Sequence, residues 1–166
     1  SLFRHPDVAA WQEPGIDAEF KAKKGNAYVE LDGNIGLMCT GAGMTMAIMD
    51  TIAAFGGKPA DFMDVGWGML EGGAEEGIKL LLAKGVKVIL ISTYTGARTD
   101  IMAEKILEAL PRIPNLNIPV VIRLQGKNEE IAQKILSECK LPYVKTAETL
   151  DKAVELAVNV ARGEVR

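Results

Sequence analysis

The chain has 166 residues, a net charge of −3, 48% hydrophobic and 25% charged residues. That length suits one domain whose core holds without staples, and the balance excludes a disordered chain. The acidic sign and 5% aromatic content argue against a nucleic-acid or anionic-membrane surface, which needs clustered positive charge.

Residues 1–25 are polar and broken by Pro6, Pro14 and Gly15. They read as an extended arm or linker, with a short helix through Trp11. A domain is expected over 26–166. Ala27–Leu31 alternates as a short strand does, and Asp32-Gly33 is a turn. Ile35–Cys39 is an apolar run bounded by glycines, expected as a buried strand. The spacing of Met44, Ala47, Ile48, Ile52 and Phe55 predicts a helix over 44–55, stopped by Gly56-Gly57. Asp61–Val65 is the next strand. A helix over 71–84 ends at Gly85. Val86–Ile91, aliphatic but for Lys87, is expected to be central and parallel, buried on both faces. A polar loop, Ser92–Thr99, precedes a helix over 100–110. Pro119–Leu124 is a strand, 128–139 a helix and Pro142–Val144 a short strand. Thr146 or Thr149 caps a last helix running to Ala161. Strand–helix alternation repeated five times predicts an α/β, flavodoxin-like, doubly wound five-stranded parallel sheet with helices on both faces.

Cys39 and Cys139 lie far apart in apolar stretches and are expected as free thiols of a reducing compartment. No apolar run reaches membrane-span length, and no basic segment followed by an apolar block opens the chain. A cytoplasmic or mitochondrial-matrix location is expected. The opening Ser1-Leu2-Phe3-Arg4 reads as the cut edge of a longer protein.

In an open parallel sheet, ligands bind beyond the carboxyl ends of the strands, so chemistry is sought in the loops there. Thr40-Gly41-Ala42-Gly43 joins a strand to a helix. Free amides, a positive helix end and one hydroxyl suit a carboxylate or phosphate. The alternative is a tight turn whose glycines only permit close packing. Ser92–Thr99 carries five hydroxyls and Arg98; it resembles the phosphate loop of flavodoxins but follows a different strand, and aromatics for a flavin are scarce. Gly66-Trp67-Gly68 puts an indole at the ligand edge, either as a lid or as an interface anchor. Asp64, at a strand end, resembles a phosphoacceptor but lacks an acidic pair after the first strand. Arg123 leaves an apolar strand and needs a carboxylate or a ligand as partner. The single His5 and the scattered cysteines support neither zinc nor a Ser-His-Asp triad, so no metal site and no catalytic residue is expected.

Taken together, several motifs resemble the carboxyl-terminal domain of the beta subunit of succinyl-CoA synthetase. They are Leu2–Asp7, Leu31–Gly36, Gly41-Ala42-Gly43-Met44 with Met46, Met49 and Asp50, Gly56–Phe62, Asp64–Gly68, Arg98 with Asp100, and Pro119–Gly126 with Asn128. The resemblance implies an acid–CoA ligase driven by ATP or GTP with Mg, using CoA. It implies a missing ATP-grasp region ahead of the arm, and an alpha-type partner subunit carrying CoA and a phosphohistidine. This domain would bind none of those cofactors itself. It would contribute a helix amino terminus to the carboxylate and phosphohistidine site. Thr40, Gly41, Ala42, Gly43, Gly96, Ala97 and Arg98 are the implied binding residues, and Trp67 and Tyr94 the implied interface. A regulatory relative that has lost the acid site, or a free-standing anion or FMN binder, are the alternative readings. Thr40 stands where the family has Asn, the Tyr94–Asp100 loop is one residue shorter, and Trp67 replaces a glycine. These departures fall on the acid-binding loops and point to an acid other than plain succinate, one bearing a hydroxyl or keto group.

Overall fold

The computed structural model describes residues 27–66, 72–94 and 98–164. Among them the strands are β1 (Ala27–Glu30), β2 (Ile35–Cys39), β3 (Asp61–Asp64), β4 (Val88–Thr93), β5 (Val120–Leu124) and β6 (Val144–Thr146). The helices are α1 (Ala42–Ala54), α2 (Gly73–Lys84), α3 (Thr99–Ala109), α4 (Glu129–Ser137) and α5 (Leu150–Arg162), with a 3₁₀ turn at Leu110–Arg112. The expected arm over 1–25 lies outside the described residues.

Across the sheet the order is β1-β3-β2-β4-β5-β6. β2 to β6 are parallel, so the doubly wound α/β architecture is as expected. The sheet also gains a sixth strand: β1 pairs antiparallel with β3, matching Tyr28 with Met63. Ile48 and Ile52 of α1 join Ala153, Val154, Ala157 and Val158 of α5 over one face of the sheet. Ile78 and Leu81 of α2, Met102 and Ile106 of α3, and Leu136 of α4 cover the other. Both faces of β2, β4 and β5 are therefore buried, which is why these segments read as unbroken apolar runs.

β1, β3 and β5 differ from the sequence reading by one residue at one end, and β4 and β6 are each shifted two residues along the chain. β4 ends at Thr93, two residues later than expected, with Ser92 and Thr93 fully buried in the ladder. Their hydroxyls read as loop in the sequence, yet Ser92 pairs with Cys39 on one side and Arg123 on the other. β6 begins at Val144 rather than Pro142, because proline cannot donate to the ladder. Of the two candidate caps for α5, Thr149 does the work: its hydroxyl accepts from the Lys152 amide at 3.3 Å.

One carboxylate sits inside the sheet. Asp61 is fully buried and its Oδ1 accepts from the Leu37 amide at 2.8 Å, while Oδ2 has no partner. Burial pushes its pKa up to about 7, opposed by the Leu37 hydrogen bond and by Lys84. An acid whose pKa is raised on folding stabilises the fold fully below its unfolded pKa and loses that contribution as pH rises through the folded value. Stability is thus expected to fall between about pH 4 and pH 7, by on the order of a few kcal/mol. Urea unfolding at pH 5 and pH 8 checks this: Asp61→Asn, which keeps the acceptor for Leu37, should unfold with a midpoint that changes less between the two than that of the parent protein.

Candidate functional site at the carboxyl ends of the strands

The strand order reverses between β2 and β4: from β2 the chain moves to β3 on one side, then returns to β4 on the other. At such a switch point the connecting loops diverge and leave a crevice beyond the strand ends. The amino terminus of α1 opens there. Gly41 is its N-cap, at φ 94° and ψ 118°, and no side chain caps the helix. The Gly41 amide instead donates to Asp64 Oδ1 at 2.8 Å, and the same oxygen accepts from the Gly66 amide at 3.0 Å. Asp64 therefore ties the loop after β2 to the loop after β3; it is a structural acceptor. The first intrahelical bond runs from Thr45 to the Gly41 carbonyl. The amides of Ala42, Gly43 and Met44, ahead of that bond, have no intrahelical acceptor.

Among the described residues a Cβ built on Gly41 or Gly43 meets nothing within 4 Å, so close packing against those residues is not what requires the glycines. Gly41 is needed for its positive φ; Gly43 is exposed, in ordinary helical backbone, and keeps the helix end bare. The first turn carries no acidic residue of its own; the Asp64 carboxylate at the Gly41 amide is the negative charge that faces the positive end of the helix.

Among the described residues, four buried polar atoms at the carboxyl ends of β2, β4 and β5 have no partner: Thr40 Oγ1, Ser92 Oγ, Thr93 Oγ1 and Arg123 Nε; strand alternation puts Ser92 and Arg123 on the face covered by α1 and α5, and Thr93 on the other. Arg123 is only 6% exposed. Its Nη1 donates to the Thr93 carbonyl at 3.4 Å and its Nη2 to Gln125 Oε1. Burial lowers its pKa, and Glu129 is the nearest acidic influence, through space. Among the described residues no carboxylate forms an ion pair with it. The sequence flagged Arg123 as needing a partner but placed Ser92 and Thr93 in a loop. The register of β4 against β2 and β5 is what brings these groups together.

Arg98 makes a different arrangement. Its Nε and Nη2 donate to the two oxygens of Asp100 at 2.9 and 2.6 Å, and Asn128 adds a bond to Asp100 at 3.0 Å. Arg98, hydrogen-bonded to it, holds the Asp100 carboxyl well below the usual carboxylate range. Thr99 anchors the start of α3 through two bonds to the Lys127 carbonyl. Tyr94 is exposed at the end of β4, whereas Trp67, Gly96 and Ala97 lie outside the described residues.

Cys39 is fully buried beneath the first turn of α1. Burial and the nearby Asp61 push its thiol up to about 12, so it is no nucleophile. Both cysteines are free, with Cys139 only half-buried. A separate cleft of about 430 Å³ has Ile122, Leu124, Leu136 and Leu156 as its apolar floor and takes no residue from β2 or α1. Among the described residues no group of three or more metal-binding side chains could hold an ion, and no helix is long and apolar enough to cross a membrane.

A family model described as CoA-ligase matches residues 38–160. The beta subunit of ADP-forming succinate–CoA ligase from Bordetella avium (strain 197N) is 42% identical over 167 residues, covering 98% of this chain and 43% of the relative. The same subunit from Burkholderia mallei (strain SAVP1) is 41% identical over 169 residues, covering 99% and 43%. The chain thus spans less than half the length of these relatives. Among solved structures, ATP citrate lyase from Methanothrix soehngenii aligns with a TM-score of 0.66 at 18% identity, over 89% of this chain and 46% of that one. The Methanosaeta concilii enzyme aligns with 0.63 at 20% identity, over 88% and 44%. At that identity the two structures speak to the fold alone.

The two glycines predict opposite outcomes. Gly41→Ala should cost about 1–3 kcal/mol, because it forces a side chain into a positive-φ conformation. Gly43→Ala should be neutral or stabilising by up to ~1 kcal/mol, since the space is open and alanine favours helix. Denaturant midpoints of the two variants check this.

Proposed function

This chain belongs to the CoA-ligase family, and from that premise we propose that it is the carboxyl-terminal domain of a nucleotide-dependent acid–CoA ligase beta subunit. Its part is to recognise the acid and to present a helix amino terminus to a phosphohistidine on an alpha-type partner. The bare start of α1 carries this reading. Amides of Ala42, Gly43 and Met44 without intrahelical acceptors and, among the described residues, open space at Gly43 suit a tetrahedral or carboxylate anion approaching from outside the chain. ATP or GTP, Mg and CoA belong, in this reading, to the ATP-grasp region and the partner subunit. This chain's residues supply binding and electrostatic stabilisation and no nucleophile.

Thr40, Gly41, Ala42 and Gly43 form the acid-binding side in this proposal, together with Gly96, Ala97 and Arg98. Arg98 takes part through its backbone and its remaining guanidinium donors, its other edge being held by Asp100. The unpartnered Thr40 hydroxyl offers one donor where an amide side chain would offer two. A hydroxy- or keto-acid is therefore proposed over succinate.

The sides of α1 supply the interface argument. Its sequence, AGMTMAIMDTIAA, is apolar but for Thr45, the exposed Asp50 and Thr51, so its apolar surface extends well beyond the stripe it buries. Met46 is 60% exposed, and Ala42, Ala47, Ala53 and Ala54 are exposed with it. We assign this surface, with Trp67 and Tyr94, to contact with the alpha-type subunit.

Full-length protein assembled with its partner subunit tests these points. Acyl-CoA formation is expected, and Gly43→Asp, which puts a negative charge at the helix end, should lower kcat by about 100-fold or more. An inactive complex that still assembles would favour a relative that has lost the acid site. In the acid panel, a hydroxy- or keto-acid should give the highest kcat/KM, and Thr40→Asn should shift preference toward succinate. Trp67→Ala should weaken subunit association by roughly 2 kcal/mol, measured as a dissociation constant.

A further inference from the structure

Side chains from elsewhere in the chain hold α1 at both ends. At the amino end Asp64 takes the Gly41 amide. At the carboxyl end the backbone closes as a Schellman motif. The Gly56 amide donates to the Ala53 carbonyl at 2.9 Å and the Gly57 amide to the Ile52 carbonyl at 2.8 Å, with Gly56 at φ 74°. Those bonds do not use the Phe55 and Gly56 carbonyls. Arg162 does: its Nη2 donates to both, at 3.0 and 3.3 Å, from 107 residues beyond Phe55. The last turn of α1 has no basic residue, and Arg162 belongs to the last turn of α5. One guanidinium thus meets the negative carboxyl ends of two helices. The joint is tight. Arg162 lies one turn beyond Val158 on α5, and a Cβ built on Gly57 would come within 2.7 Å of Val158 and 2.9 Å of Ile35. Glycine there lets the end of α1 seat between α5 and β2.

We propose that Arg162 is a positioning residue for the acid site: by tying the carboxyl end of α1 to α5, it fixes the tilt of the helix and so aims the free amides of Ala42, Gly43 and Met44. The helix has 13 residues and is about 20 Å long. Between its two fastened ends it packs through Ile48 and Ile52 against β2 and α5. A rod held in this way pivots on its packed middle when one end is released, so a displacement at Arg162 reaches the amino end. Arg162 itself touches neither the acid nor the phosphohistidine. This inference rests on the acid–CoA ligase reading and adds to it the residue that sets the direction of α1 from its far end.

The test uses the full-length protein with its partner subunit and follows acyl-CoA formation against the concentration of the best-used acid of the panel. KM does not depend on how much of the enzyme is folded, so a loss of folded protein alone leaves it unmoved. Arg162→Met should raise the KM for the acid by about 5- to 20-fold, as a misplaced binding group does, and leave the KM values for nucleotide and CoA within about twofold. Arg162→Lys, which keeps a cationic donor, should restore most of the loss. Gly56→Ala reaches the same joint by another route, since its Cβ would lie 2.7 Å from Arg162 Nη2 and displace the guanidinium. It should raise the acid KM in the parent and add nothing further in Arg162→Met. An acid KM unchanged in Arg162→Met, raised together with the nucleotide KM, or raised additively by the two substitutions overturns the proposal. If the parent complex makes no acyl-CoA from any acid, the functional reading fails separately, and hydrogen exchange of the same complex decides the role of Arg162. Faster exchange at the Gly41 amide in Arg162→Met supports it, and a change that is absent or confined to residues 52–57 overturns it.

Discussion

A single carboxylate oxygen organises the site. Asp64 Oδ1 accepts from the amides of both Gly41 and Gly66, and so cross-links the ends of β2 and β3 just where β2 pairs through Cys39 with Asp64. The bond fixes Gly41 at its positive φ and thereby sets the direction in which α1 leaves the sheet. Because the Gly41 amide is consumed by Asp64, the amides of Ala42, Gly43 and Met44 are the ones left without an intrahelical acceptor. An aspartate that could pass for a phosphoacceptor is here the fixture that aims a helix dipole.

Around that fixture the polar groups are divided unevenly. The Asp64 and Asp100 carboxylates are satisfied within the chain, whereas hydroxyl and guanidinium groups are left over. In a folded core, unpaired buried polar atoms are uncommon because each costs free energy. Four of them lie at the ends of β2, β4 and β5 among the described residues, already desolvated and held by strands.

The second deficit is apolar. α1 buries Thr45, Ile48 and Ile52 and leaves Met46 and four alanines on its outer side exposed. A bare helix start beside an apolar helix flank places the electrostatic and the packing surfaces next to each other. A partner that covered the flank would also exclude water from the helix start, and its dipole would act in a lower dielectric.

Most of the architecture was legible in the sequence, because a parallel sheet buried on both faces forces unbroken apolar strands separated by glycine-marked turns. Ile35–Cys39 and Val120–Leu124 follow directly from that rule. The glycine loop after β2 was legible as either a candidate anion site or a tight turn, since Gly41-Ala42-Gly43 joins a buried strand to a helix start. Residue order alone could not extend β4 through Ser92 and Thr93, whose hydroxyls look like loop chemistry until the register sets them between Cys39 and Arg123. Nor could it reveal that Arg98 spends its charge on Asp100 while Arg123 turns to the Thr93 carbonyl and Gln125. Which cation finds which carboxylate depends on distances across strands and loops far apart in the chain, and only the folded structure fixes those distances.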